Sequence, residues 1–471
     1  MSLPLLFAQL AALLATFVAG SAVAAETRIP DAALAAATQL RERALADDTG
    51  WKVVESLTTE VGPRLAGSEA DARAVEWAKA KFKALGYDKV WTEPVTFPKW
   101  ERRSEHAEVL GAHAQPLVLT ALGGSPGGTV EAEVVRFASL DALKAAPEGS
   151  LKGKIAFVDY QMQRYRDGHD YRNGGGIRHA GPSEAIRKGA IAFLMRSAGT
   201  DTSRAPHTGV TSFDDGLTPI PSAALSTIDA AQLARLVALD PHTRVRVALD
   251  CGWDGEYTSQ NVIGEITGRK HPEQVVLLGG HLDSWDPGTG AIDDAAGVGI
   301  SMAAGALLKP LHPARTIRVV AYSNEERGLY GGKAYAEKHA GEIARHVIVS
   351  ESDFGAGRIY SFNSSAPAPA KAAIAQIAGA LAPLGIATVD GEGGPESDVG
   401  PIAELGATWA SLGHDGTHYF DVHHTAEDTL DKIDTKDLAQ NVAAYAVFAW
   451  LAAQAEGDFG SKPRAAEPAK H

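Results

Sequence analysis

Between Asn261 and Gly413 four runs, "EQVVLLGG", "TIRVVAYS", "HVIVSES" and "ATWASLG", are apolar at consecutive positions instead of alternate ones. A strand apolar on both faces must be covered on both. The stretches between these runs, such as "AGVGISMAAGALLK", have the spacing of helices. That combination constrains this half of the chain to an α/β sheet, mixed and mostly parallel, with helices on each side.

In an open sheet of this kind ligands gather beyond the carboxyl ends of the strands. The polar residues of interest fall there. His281 follows "VVLLGG", Glu325 and Glu326 follow "RVVAYSN", and Asp353 closes "HVIVSESD". Asp293 lies on the connection after the first strand, in "HLDSWDPGTGAIDDAAGVG", and His424 lies in "YFDVHHTAEDT". Singly, each has a plainer reading: a structural histidine, a solvated acidic pair, a helix cap. Jointly, three carboxylates and two imidazoles converging without cationic side chains repel one another and are costly to desolvate. Divalent cations resolve that. Nitrogen and oxygen ligands without sulfur suit zinc, with cobalt or manganese as substitutes. Five ligands exceed what one open catalytic zinc takes, and suit two ions sharing a carboxylate.

The rest of the chain supplies a frame. At 471 residues it is long enough for two or three domains. Residues 27–89 have helical periodicity, with Ser68 as an N-cap and Gly86 as a stop. Residues 118–250 change character to short apolar strands with intervening helices, which reads as a compact α/β insert. Within it "QRYRDGHDYRNGGGIRHAGP" is polar and glycine-rich, and predicts a surface loop. Residues 26–117 read as the N-terminal part of the main domain, 251–455 as its metal-holding part and 456–471 as a disordered tail. Residues 1–25 are apolar then small, carry no charge, and end in a small-x-small triplet. This predicts a cleaved signal peptide and a periplasmic or secreted protein. Cys251 is the only cysteine, which removes internal disulfides and cysteine-based metal sites from consideration. A net charge of −14 disfavours nucleic acid and anionic membranes as partners.

"HLDS…GAIDDAAG", "NEERGLYGG", "SESD" and "HHTAEDT" together resemble the metal-binding motifs of the M28 family of zinc peptidases. "VGPRLAGS", "FPKWERRSEHAEVL" and "TALGGSPGG" resemble its carboxypeptidase Q branch. Residues 118–250 resemble a protease-associated domain. The resemblance spans about residues 50–455 and implies the zinc exopeptidase fold. It implies that Asp293 bridges two zinc ions, with His281 and Asp353 completing one and Glu326 and His424 the other. Glu325 would be the general base, and Asp283 would orient the His281 ring. Within "HH" a swap with His423 stays open, and Asp294 reads better as a helix cap than as a ligand. Tyr419 and Ser397 are candidate substrate contacts, each with a packing or capping alternative. His414 and His418 are not taken as ligands. The implied activity is exopeptidase hydrolysis of dipeptides or short peptides. Aminopeptidase action on longer peptides and a non-catalytic binding role on the same scaffold are the alternatives. The implied partners are short peptides, with no stable membrane association after signal cleavage and homodimerisation left open.

Overall fold

The computed structural model describes residues 26–389 and 393–464. The segment read as a signal peptide therefore lies outside the described residues, as do the last seven positions of the chain. Three helices, α1 (Asp31–Leu45), α2 (Thr49–Ser56) and α3 (Glu69–Ala84), come first. The Ser68 hydroxyl caps α3 by accepting from the Asp71 N–H, and Gly86, at φ 82°, lets the chain turn out of it. The strands β1 (Lys89–Leu110), β2 (Gln115–Leu117), β3 (Leu119–Ala121) and β4 (Gly128–Phe137) follow. Next come α4 (Leu140–Lys144), β5 (Ile155–Val158), α5 (Tyr171–Arg187), β6 (Ala192–Arg196), β7 (Ser222–Leu225), α6 (Thr227–Leu239) and β8 (Arg244–Ile266). The last part holds β9 (His271–His281), α7 (Ala296–Leu308), β10 (Arg315–Tyr322), α8 (Tyr330–Lys338) and β11 (His346–Glu351). It ends with β12 (Ile359–Ser364), α9 (Lys371–Leu381), α10 (Gly400–Glu404), β13 (Ala410–His414) and α11 (Thr435–Gln454).

One mixed sheet runs β11-β9-β10-β8-β4-β5-β6-β7-β3, with β1 paired to β8 and β2. The strands β9, β10 and β11 are parallel to one another and buried except for the first four residues of β9. Helices α7 and α11 cover one face of them. α7, and α11 from Val442 on, are apolar all round, as a helix buried on every side must be. The run Ala291–Leu311 has the length and hydropathy of a membrane span, but 89% of its apolar window is buried within this core. The second parallel group, β4-β5-β6-β7, has its own core around Phe157, Phe193 and Leu225. The long antiparallel pair β1 and β8 runs through both groups, so at 250 the chain crosses from one to the other inside a strand.

Two expectations need correction. The polar stretch at 163–182 is a loop only before Tyr171; from there on it is helix α5. Its glycines cost helix propensity, about 1 kcal/mol each against alanine. They also let the helix lie close, for a Cβ at Gly181 would run into the Phe193 ring and one at Gly174 would meet Ala198. Tertiary packing outweighs local preference there. Residues 456–464 are likewise not a free tail: Phe459 is fully buried, and the Thr27 hydroxyl donates to the Asp458 carbonyl. One aromatic residue in a polar context carries no periodicity by which to recognise it.

Candidate metal and active site

The candidate site sits beyond the carboxyl ends of β9, β10 and β11, which their parallel pairing puts on one edge. His281 is the last residue of β9, Glu325 and Glu326 follow β10, and Asp353 follows β11. Asp293 comes from the turn before α7, and His424 from the loop before α11. The structure brings all six together.

Asp293 is at the centre. Its Oδ1 lies 3.0 Å from His281 Nε2, and its Oδ2 lies 3.2 Å from His424 Nε2. His281 Nε2 is also 3.3 Å from Asp353 Oδ1, and His424 Nε2 is 2.9 Å from Glu326 Oε2. Each oxygen of one carboxylate thus faces a different ligand cluster. His423 Nε2 also approaches Asp293 Oδ2, at 3.3 Å, with its ring stacked on His424. The two histidines differ at the other nitrogen. His424 Nδ1 donates to the Thr208 carbonyl at 3.2 Å, whereas the buried His423 Nδ1 has no hydrogen-bond partner among the described residues.

Several groups hold this arrangement. Asp283 Oδ1 accepts from the Glu325 backbone N–H at 3.0 Å and lies 3.5 Å from His281 Nδ1. The Asp294 carboxylate accepts from the N–H groups of His281 and Gly297, as a cap for α7. A Cβ at Gly297 would collide with the Ser352 carbonyl, so only glycine fits there. Two of these supporting residues escaped sequence reasoning. Asp428 accepts from the N–H groups of Ala291, Ile292 and Asp293. Arg64, fully buried, donates to the carbonyls of Leu282, Thr289 and Gly290. Both stand inside motifs of the sequence, "HHTAEDT" and "VGPRLAGS", but their partners are backbone groups with no sequence signature.

Charge is badly balanced here. Burial, reinforced by Asp353, lifts the Glu325 carboxyl well above the usual range, and burial pushes Glu326 up to about 7. Burial opposes protonation of His281 and His424, but the charges of Asp353 and Glu326 respectively raise both well above an ordinary histidine. Arg64 spends its guanidinium on carbonyls. Glu326 Oε1 and Asp283 Oδ2 are buried without a hydrogen-bond partner among the described residues. Orphaned carboxylate oxygens beside two imidazoles of nitrogen–oxygen ligand type fit divalent cations. Asp293 belongs to two such groups, one with His281 and Asp353, the other with His423 and His424.

The site opens into a cavity of about 390 Å³. Its wall includes Glu325, Ser397, Tyr419 and Phe354, so both candidate substrate residues lie on it. Burial raises the Tyr419 hydroxyl well above its ordinary pKa, which keeps it a donor. Glu396, missed in the sequence, lies on the same wall, and burial pushes it up to about 8. His418 is exposed and bound to Asp421 and Arg164, and His414 Nδ1 bonds the Phe354 carbonyl. Neither belongs to the ligand cluster.

Residues 261–449 match peptidase family M28. Carboxypeptidase Q of Bos taurus and that of Homo sapiens are each 33% identical to the chain, over 87% of it and 86% of their own length. A peptidase M28 precursor of known structure from Shewanella amazonensis is 45% identical, with a TM-score of 0.87, covering 93% of this chain and 100% of the other. BSAP, a zinc aminopeptidase from Bacillus subtilis, shares the fold with a TM-score of 0.62 at 19% identity, over 85% of this chain and 94% of its own. The chain belongs to peptidase family M28 and is an enzyme of the metallo-exopeptidase class.

Proposed function

We propose that the chain is an exported dinuclear zinc exopeptidase acting on dipeptides or short peptides. The observation that carries this is the Asp293 carboxylate, which turns one oxygen to His281 and the other to His424. His281, Asp353 and Asp293 would hold one ion, and Glu326, His424 and Asp293 the other. His424 is preferred over His423 because its second nitrogen is hydrogen-bonded, as that of a ligating histidine usually is. Zinc is supported by the nitrogen–oxygen ligand set and by the zinc aminopeptidase that shares the fold.

When bound, such a pair supplies Lewis-acid polarisation of a carbonyl and lowers the pKa of water. The residues do the remainder. Glu325 takes the proton from the attacking water and delivers it to the leaving amine. Asp283 fixes the Glu325 backbone and faces His281 Nδ1. Tyr419 and Ser397 lie where a bound peptide's carbonyl and main chain would pass. A cavity of about 390 Å³ is near the small end for ligand pockets and suits a dipeptide. A neighbouring cavity of about 680 Å³ shares Phe354 and Tyr419 with it, which favours aminopeptidase action on longer peptides as the second reading. Residues 118–250 are read as a protease-associated insert. The uncharged, apolar segment 1–25 supports export to the periplasm or medium.

The test is zinc-reconstituted hydrolysis of one dipeptide in free, N-acetylated and C-amidated forms. Loss of cleavage on blocking either end is expected. Loss on acetylation alone marks an aminopeptidase, and loss on amidation alone a carboxypeptidase. Three uncleaved forms with two zinc ions bound would overturn the dipeptide reading.

A further inference from the structure

Residues 201–211 belong to the insert, yet they bond directly to the loop that carries His423 and His424. His207 is buried, with Nδ1 2.6 Å from the His423 carbonyl and Nε2 2.8 Å from Asp201 Oδ1. Its own N–H donates to the Ser197 hydroxyl at 2.8 Å. The next residue, Thr208, bonds His424 in both directions. Its N–H donates to the His424 carbonyl at 3.1 Å, and its carbonyl accepts from His424 Nδ1 at 3.2 Å. With Nδ1 bonded to the Thr208 carbonyl, Nε2 is the His424 nitrogen that faces Asp293 and Glu326 and is left to take a cation. His424 itself sits at φ 62°, a left-handed backbone that a non-glycine residue holds only when its surroundings impose it.

We infer that His207, held by Asp201, is a positioning residue: it clamps the 423–424 backbone so that His424 presents Nε2 to the cation site. The insert thereby sets how tightly the ion on the His424 side is held. This rests on the dinuclear reading above. A general structural role for His207 would weaken the whole fold. The positioning role weakens one ion selectively, because its contacts converge on His423 and His424 and not on His281 or Asp353.

The experiment uses the full-length enzyme and its His207→Ala, His207→Asn and Asp201→Asn variants. Zinc per chain is measured by elemental analysis after dialysis against graded chelator, beside thermal unfolding of the metal-free forms. The wild type is expected to keep two zinc ions. His207→Ala should release one of them at roughly 10–100-fold lower chelator strength, the range seen when a ligand's supporting partner is removed. His207→Asn, which keeps a donor near the Nδ1 position, should recover much of that loss. Should His207→Ala fail to fold, Asp201→Asn decides, with a smaller shift in the same direction. Variants that fold and keep both ions at wild-type chelator strength overturn the inference alone. A wild type that binds no zinc overturns both it and the dinuclear reading.

Discussion

At the scale of single residues, two adjacent glutamates after β10 stand in different surroundings. Both line the cavity, but Glu326 faces His424 at 2.9 Å whereas the Glu325 N–H is held by Asp283. Substitutions should separate them. Glu325→Gln is expected to lower kcat by about 10²–10⁴-fold, the usual share of a general base, with zinc content unchanged. Asp293→Asn is expected to lose activity and zinc together, since its two oxygens serve two clusters. Activity assays paired with elemental analysis read both. Wild-type turnover in Glu325→Gln would remove that residue as the base. The strand-end residues were legible because the rule placing ligands beyond parallel strands is local to each strand. The tautomer of His424 was not, because it depends on the Thr208 carbonyl more than two hundred residues away.

Among the elements, the turn at 291–295 is the most exacting. Three of its N–H groups end on Asp428, whose carboxyl burial pushes up to about 7. Asp428→Ala leaves those donors without a partner, at a cost of about 1–3 kcal/mol for each one that stays buried. Both the unfolding midpoint and the zinc affinity are expected to fall, as calorimetry with and without chelator would read. An unchanged zinc affinity would show that the turn holds its shape without Asp428. A second element-scale outcome concerns β11 and α8. The Tyr335 hydroxyl donates to His346 Nε2 at 2.8 Å, and His346 Nδ1 donates to the Glu342 carbonyl at 3.1 Å. Burial, aided by the charge of Arg318, holds His346 down at about 4, against an ordinary 6.5. A depressed folded pKa gives stability that is present above pH 6.5 and lost as the pH falls towards 4. The wild-type unfolding midpoint should therefore drop across that window, and less steeply in His346→Gln. Parallel slopes in the two proteins would assign the loss to other groups.

For the whole molecule, the candidate site lies where residues 201–211 bond to the loop that carries His423 and His424. Cations bound there are expected to tie both to the native state. An ion at a hundred times its dissociation constant adds about 2.7 kcal/mol to stability. Chelation should lower the unfolding midpoint, and zinc, not magnesium, should restore it. A midpoint indifferent to chelator would speak against structural coupling of the ions. Sequence alone determined the class of the fold, since strands apolar on both faces admit little but a helix-covered sheet. It also pointed to the chemical type of the site, because three carboxylates and two imidazoles gathered without cationic side chains favour a cation. Only the tertiary structure decided how the site is held. Arg64, Asp428 and Thr208 act on or through backbone groups that look alike in every sequence. Helix α5 and the packed segment 456–464 exist because distant side chains leave space of the right shape, and no local pattern encodes that space.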